Sequence, residues 1–140
     1  MYGKRMNNQI LQEEEQFIDA FIYSSKKNRT LGLLRSKKRR SKILSKLYHY
    51  SDFDSRFLKK IDASIQFSEL ILNLLLEKGA NRMCYVISAS RSDLDQTTKE
   101  LSGVLNEVVG YCPGTIIICR SNHLAYYEGE MNNERYLLER

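Results

Sequence analysis

His49 stands three residues before Asp52 and five before Asp54, and His123 opens the run HLAYYEGE that reaches Glu128. Imidazole changes charge near neutral pH, so two histidines beside a cation can cleave a phosphodiester as general acid and base. Carboxylates can orient either ring or replace it. His49, Asp52, Asp54 and Glu128 offer a second combination, in which nitrogen and oxygen ligands hold a metal that activates water. Neither arrangement has a defining spacing. With two histidines in 140 residues, a carboxylate close in sequence is expected by chance. Asp54 also has a structural task, since it can accept a hydrogen bond from an amide two or three residues on and so cap the next helix. The sequence leans away from an enzyme, and it calls for no cofactor and no metal.

Three further stretches lack the residues their chemistry needs. SASRSD places Ser88, Ser90 and Ser92 after a strand but has no glycines of a nucleophile elbow, and Asp93 makes it a polar turn. GYCPG contains neither GxGxxG nor GxxxxGK[ST], so it reads as a helix stop followed by a turn. Cys84, Cys112 and Cys119 form no CxxC pair, and buried thiols fit them better than disulfides.

The charge pattern is more informative. Residues 1–62 carry 15 Lys/Arg against 7 Asp/Glu and residues 63–140 carry 7 against 10, giving +8 and −3 within an overall +5. Seven cations fall between Arg35 and Lys46. On a single helix over 35–48, a rotation of about 100° per residue gathers Arg35, Lys38, Arg39, Lys42 and Lys46 on one arc. Ile43, Leu44, Leu47 and Tyr48 then face the core, while Lys37 and Arg40 interrupt the apolar side. Such a stripe suits a nucleic acid, another polyanion or an acidic protein. The bland alternative is a lysine-rich face that only keeps the chain soluble. No zinc-finger, ribonucleoprotein or GXXG signature accompanies it, so sequence-specific recognition is not indicated.

These residues must be positioned by a fold, and the length and 42% apolar content suit one domain over residues 1–140. The first 80 residues read as mainly helical and basic. Ile10, Phe17, Ile18, Phe21 and Ile22 mark a helix over 9–23 whose acidic start, Glu13 to Glu15, suits the helix dipole. A basic helical region follows from about Arg29 to Tyr48, with a possible break near Ser36. DFDSRFLKKI reads as a turn and a short helix. SELILNLLLEKG reads as a helix capped by Ser68 and stopped by Gly79.

Residues 81–140 read as β-α-β-β-β. MCYVIS is a strand, and Thr97 with Glu100 fits a capping box before Leu101, Val104, Leu105 and Val108. GTIIICR is apolar on both faces and should be a central strand. The last strands turn first at Ser121 and Asn122, then around 129–133. Were the first two strands parallel neighbours, the intervening helix would be a right-handed crossover. Tyr126 and Tyr127 must point to opposite faces, one into the core and one partly exposed. The class is α+β, or mixed α/β, with N-terminal helices packed on the sheet.

The pattern CYVIS, GTIIIC, LAYYEGE and RYLLER, with a looser echo in LYHYSDFDSRF, resembles a group of small bacterial proteins without an assigned activity. The resemblance implies a bacterial cytosolic protein and carries over no catalytic residue. The chain offers no secretion signal, because Glu13 to Glu15 interrupt its start, and no run of about 20 apolar residues to span a membrane. The function expected is therefore a cytoplasmic binding module with a basic surface, the alternatives being a small phosphodiesterase and a homo-oligomer joined through an edge strand such as RYLLER.

Overall fold

The computed structural model describes residues 2–49, 51–131 and 134–140, with side chains described from residue 12 onward. The chain forms a three-layer α+β sandwich around a six-stranded antiparallel sheet. The strands are β1 (Leu58–Lys60), β2 (Met83–Ser88), β3 (Thr97–Glu100), β4 (Thr115–Arg120), β5 (Leu124–Glu128) and β6 (Arg135–Glu139), in the spatial order β1-β6-β5-β4-β2-β3. Strand alternation divides the core in two. Tyr85, Ile87, Ile116, Ile118, Ala125, Tyr127 and Leu138 face the N-terminal helices. Cys84, Val86, Ile117, Cys119, Leu124, Tyr126 and Leu137 face the opposite layer. Both faces of β4 are therefore buried, as its unbroken apolar run requires.

The first layer is α1 (Tyr2–Phe21), α2 (Lys27–Arg35) and α3 (Arg40–Lys46), the last continued by a 3-10 turn over Leu47–His49. Phe17, Ile18, Phe21 and Ile22 enter the core; the side chain of Ile10 lies outside the described residues. Because α1 begins at Tyr2, Glu13 to Glu15 sit within the helix and not at its start. The basic region is not one helix. Ser36 is extended (φ −88°, ψ 118°), and the amides of Arg39 and Arg40 both return to its carbonyl. This break separates Arg35 from α3 and sends Arg40 inward while Lys37 stays exposed.

The second layer is α4 (Ser68–Glu77) and α5 (Leu101–Val108). Ile71 and Leu75 are buried, and α4 stops at Gly79, whose φ of +93° suits a residue without Cβ. Ser68 is the first helical residue and not the cap, and its hydroxyl donates to Asn106. The capping box at Thr97 is absent too. Thr97 to Glu100 pair with Val86 to Met83 as an edge strand, and α5 starts at Leu101 with no side-chain cap. Backbone pairing along β2 outweighs a cap that would satisfy only an amide or two. The unit over 81–140 is thus β-β-α-β-β-β. Since β3 and β4 both run antiparallel to β2, α5 crosses over β2 between two mutually parallel strands that are not neighbours.

DFDSRFLKKI likewise gives its turn but no helix. Asp54 accepts the Arg56 amide, and the chain then enters β1 beside β6. RYLLER is consequently an interior strand, held by β1 on one side and β5 on the other. The edges are β1 and β3, which are short and expose Lys59, Lys60, Lys99 and Glu100. The β4–β5 turn places Asn122 at φ +68°. At the next turn the Gly129 amide bonds the Glu134 carbonyl, and positions 132 and 133 lie outside the described residues. Tyr126 and Tyr127 do face opposite ways, yet both are buried because both faces are covered.

One polar cluster joins the layers. Arg40 donates to both carboxylate oxygens of Glu14 at 2.8 Å and to both of Asp95 at 3.0 Å. Tyr85 also donates to Glu14, and Asp95 accepts the Ser88 amide. Burial disfavours the Arg40 charge, but the hydrogen bonds it donates to Glu14 and Asp95 outweigh this and raise its pKa. Burial and the Glu14 charge raise that of Tyr85.

Removing one member of such a buried pair costs about 3–5 kcal/mol, because its partner remains charged and dry. Arg40→Ala should therefore lower the urea midpoint by that equivalent, whereas Arg40→Met with Glu14→Leu should recover part of the loss. A single variant with wild-type stability would contradict the cluster's role. Nearer the surface, Arg91 holds the exposed Asp93 carboxyl down to about 2, and Lys59 with Lys78 lowers that of the half-buried Glu139. Carboxyls depressed by folding stabilise the native state above about pH 4 and lose that contribution as pH falls toward 2. The melting temperature should accordingly hold steady from about pH 7 to 5 and fall below about pH 4, less steeply in Lys59→Ala/Lys78→Ala.

Candidate functional site

The helices α2 and α3, with the 3-10 turn after them, bury Leu34, Ile43 and Leu47 against the sheet. Two adjoining depressions lie between them. One, of about 390 Å³, is lined by Lys26, Arg29, Ser45 and Lys46, with His49 and Asp52 at one end. The other, of about 570 Å³, is lined by Arg29, Arg39, Lys42 and Lys46 with Asn28. Arg29, Leu33 and Lys46 belong to both, so the depressions make one groove with Leu33 in its floor and cations on each wall.

These cations differ from most others in their partners, although Lys60, Lys99, Arg120 and Arg140 are also exposed without an ion pair among the described residues. Elsewhere Lys27 meets Asp19, Arg56 meets Asp54, Lys59 and Lys78 share Glu139, Arg82 meets Glu100 and Arg91 meets Asp93. Lys26, Arg29, Arg39, Lys42 and Lys46 are exposed and have no ion pair among the described residues. Lys37 and Lys38, in the turn between α2 and α3, are in the same condition. Like charges that outnumber the single carboxylate of the lining, Asp52, leave a positive local potential.

Of the stripe expected from sequence, Arg39, Lys42 and Lys46 line the groove. Arg35 does not, because it belongs to α2 and pairs with Glu15 of α1 at 3.0 Å. Lys38 is exposed outside the groove lining. Lys26 and Arg29 complete the opposite wall. Both lie outside the stripe expected from sequence, in the run SSKKNRT, and only the packing of α2 beside α3 brings them to the site.

The acid/base candidates are dispersed. His49 and Asp52 share the end of the groove, where His49 Nε2 lies 2.5 Å from Glu130 Oε2 and both side chains are exposed. His123 is in the turn before β5, its Nδ1 3.4 Å from the Arg140 carbonyl. Glu130 follows β5 and His123 precedes it, so five strand residues, about 17 Å, separate the two histidine positions. That is too far for both to touch one small substrate. Asp54 is held by the Arg56 guanidinium and amide, which keep its carboxyl below the usual range. Glu128 is buried under α5, accepting from the Gly110 amide, Tyr126 and Arg135. Among the described residues no three His, Cys, Asp or Glu side chains form a group able to hold a metal ion. The three cysteines are buried thiols; burial raises the pKa of Cys112, and burial with the neighbouring Cys84 thiol raises that of Cys119.

Cations engaged in no internal contact should be dispensable for folding. Lys42→Ala/Lys46→Ala should shift unfolding free energy by no more than about 0.5 kcal/mol per site in urea titration. A loss comparable with that of Arg40→Ala would assign them a structural role instead. Comparison with known proteins gives no relative to set beside this groove: no protein family, curated protein or solved structure matches the chain.

Proposed function

We propose that this chain is a non-enzymatic binding module whose α2–α3 surface holds a phosphate-rich polyanion. The observation that carries this reading is the convergence of five exposed cations without ion pairs among the described residues, Lys26, Arg29, Arg39, Lys42 and Lys46, on both walls of one groove whose lining holds a single carboxylate, Asp52. A merely solubilising surface has no need of a concave site. The bacterial cytosol is the setting implied by the sequence resemblance. An acidic protein is the competing partner, and it would engage the same cations with fewer charges per unit length.

Release of counterions makes binding to a phosphate chain steeply dependent on salt. Five contacts on a duplex correspond to a slope of log K against log salt of about −4.5, at about 0.9 per contact. The chain should be retained on heparin and on nucleic acid at low salt. Replacing Lys26, Arg29, Arg39, Lys42 and Lys46 together by Ala should abolish that retention, while Arg35→Ala should leave it nearly unchanged. Undiminished retention of the fivefold variant would overturn the reading.

A further inference from the structure

We infer that the ligand of this groove is a single-stranded nucleic acid, gripped through its phosphodiester backbone and not read through its bases. The inference rests on the polyanion reading and narrows it with two observations. First, the cations stand on facing walls: Lys26 and Arg29 come from the α2 side, and Arg39, Lys42 and Lys46 come from α3 and the turn leading into it. A flexible single strand can enter such a groove and receive charge from both sides. A duplex is a rigid rod roughly 20 Å across, whose major groove alone is about 12 Å wide, so it would rest on the rim and leave one wall short of its phosphates.

Second, among the described residues no Phe or Tyr lines either depression. Single-strand binders that hold bases do so on aromatic faces, each stacked base adding to affinity and selectivity. Here Leu33 is in the floor, and the polar lining consists of cations, hydroxyls and an amide, with His49 and Asp52 at one end, where the His49 ring is turned to Glu130. Among the described rings nearby, Phe53 packs edge-on against Tyr127 and Phe17 against Phe53 inside the core, and the Tyr23 hydroxyl donates to Ser55. A backbone grip without stacking is indifferent to sequence. With about 0.7 counterions released per contact on a single strand, five contacts give a salt slope near −3.5.

Arg29 and Lys46 line both depressions and should matter most. Fluorescence anisotropy on the full chain, with dT20, dA20, a 20-base-pair duplex and polyphosphate of matched charge as probes, separates the outcomes. The expected result is tighter binding of dT20 than duplex by at least fivefold, dT20 and dA20 within about twofold of each other, and a single-strand slope near −3.5. Arg29→Ala/Lys46→Ala should weaken dT20 binding at least tenfold and lower the slope by about 1.4, with Arg29→Gln/Lys46→Gln behaving alike. Lys37→Ala/Lys38→Ala, equal in charge lost but outside the groove, should change affinity less than threefold. Equal or tighter duplex binding, strong preference for one base, or polyphosphate outcompeting dT20 would overturn the single-strand inference while leaving the polyanion reading intact. Failure of every probe to bind would overturn both.

Discussion

The Arg40 guanidinium, closed between Glu14 and Asp95, is the constraint on which the arrangement of the first layer depends. It draws together α1, the start of α3 and the loop after β2, while Tyr85 adds a hydrogen bond from the sheet itself. An arginine fits this position because its planar fork serves two carboxylates at once, which a lysine ammonium cannot do in fixed geometry. The cluster also accounts for the break at Ser36. A continuous helix would leave Arg40 among apolar side chains with no carboxylate, and the extended residue lets α3 restart with Arg40 turned to Glu14.

This restart determines the surface above it. With Arg40 fixed below and Ile43 and Leu47 packed on the sheet, Arg39, Lys42 and Lys46 are left facing outward and toward α2. The charged side chains thus divide by use. Arg40 is buried and fully engaged, Arg35 and Lys27 tie α2 to α1, and the groove cations remain uncommitted. Single cations unpaired among the described residues, such as Lys60, Lys99 and Arg120, are scattered over the surface, whereas five converge on one concavity and raise the positive potential there.

The opposite layer supports the sheet and contributes nothing to the groove. Glu128 could draw attention as a buried carboxylate, but it is consumed by the Gly110 amide, Tyr126 and Arg135, and Arg135 reaches on to Gln66. That network fastens the end of α5 to β5 and β6. It resembles the Arg40 cluster in kind: a charge in the interior is tolerated because every oxygen has a donor.

Local pattern was enough to determine the α+β class, the two-sided burial of β4, the Gly79 stop, the buried thiols and the basic character of residues 35–46. Each follows from side-chain periodicity or from a backbone preference acting over a few residues. Partners distant in sequence decided the rest. The strand at Leu58 exists because β6 offers it an edge, the strand at Thr97 because β2 does, and neither edge is visible in the local sequence. Arg40 looked like a misplaced surface cation until Glu14 and Asp95, 26 and 55 residues away, supplied its counter-charges. The groove itself depends on the same long-range packing: sequence alone placed the positive charge, and only the approach of α2 to α3 made two walls of it.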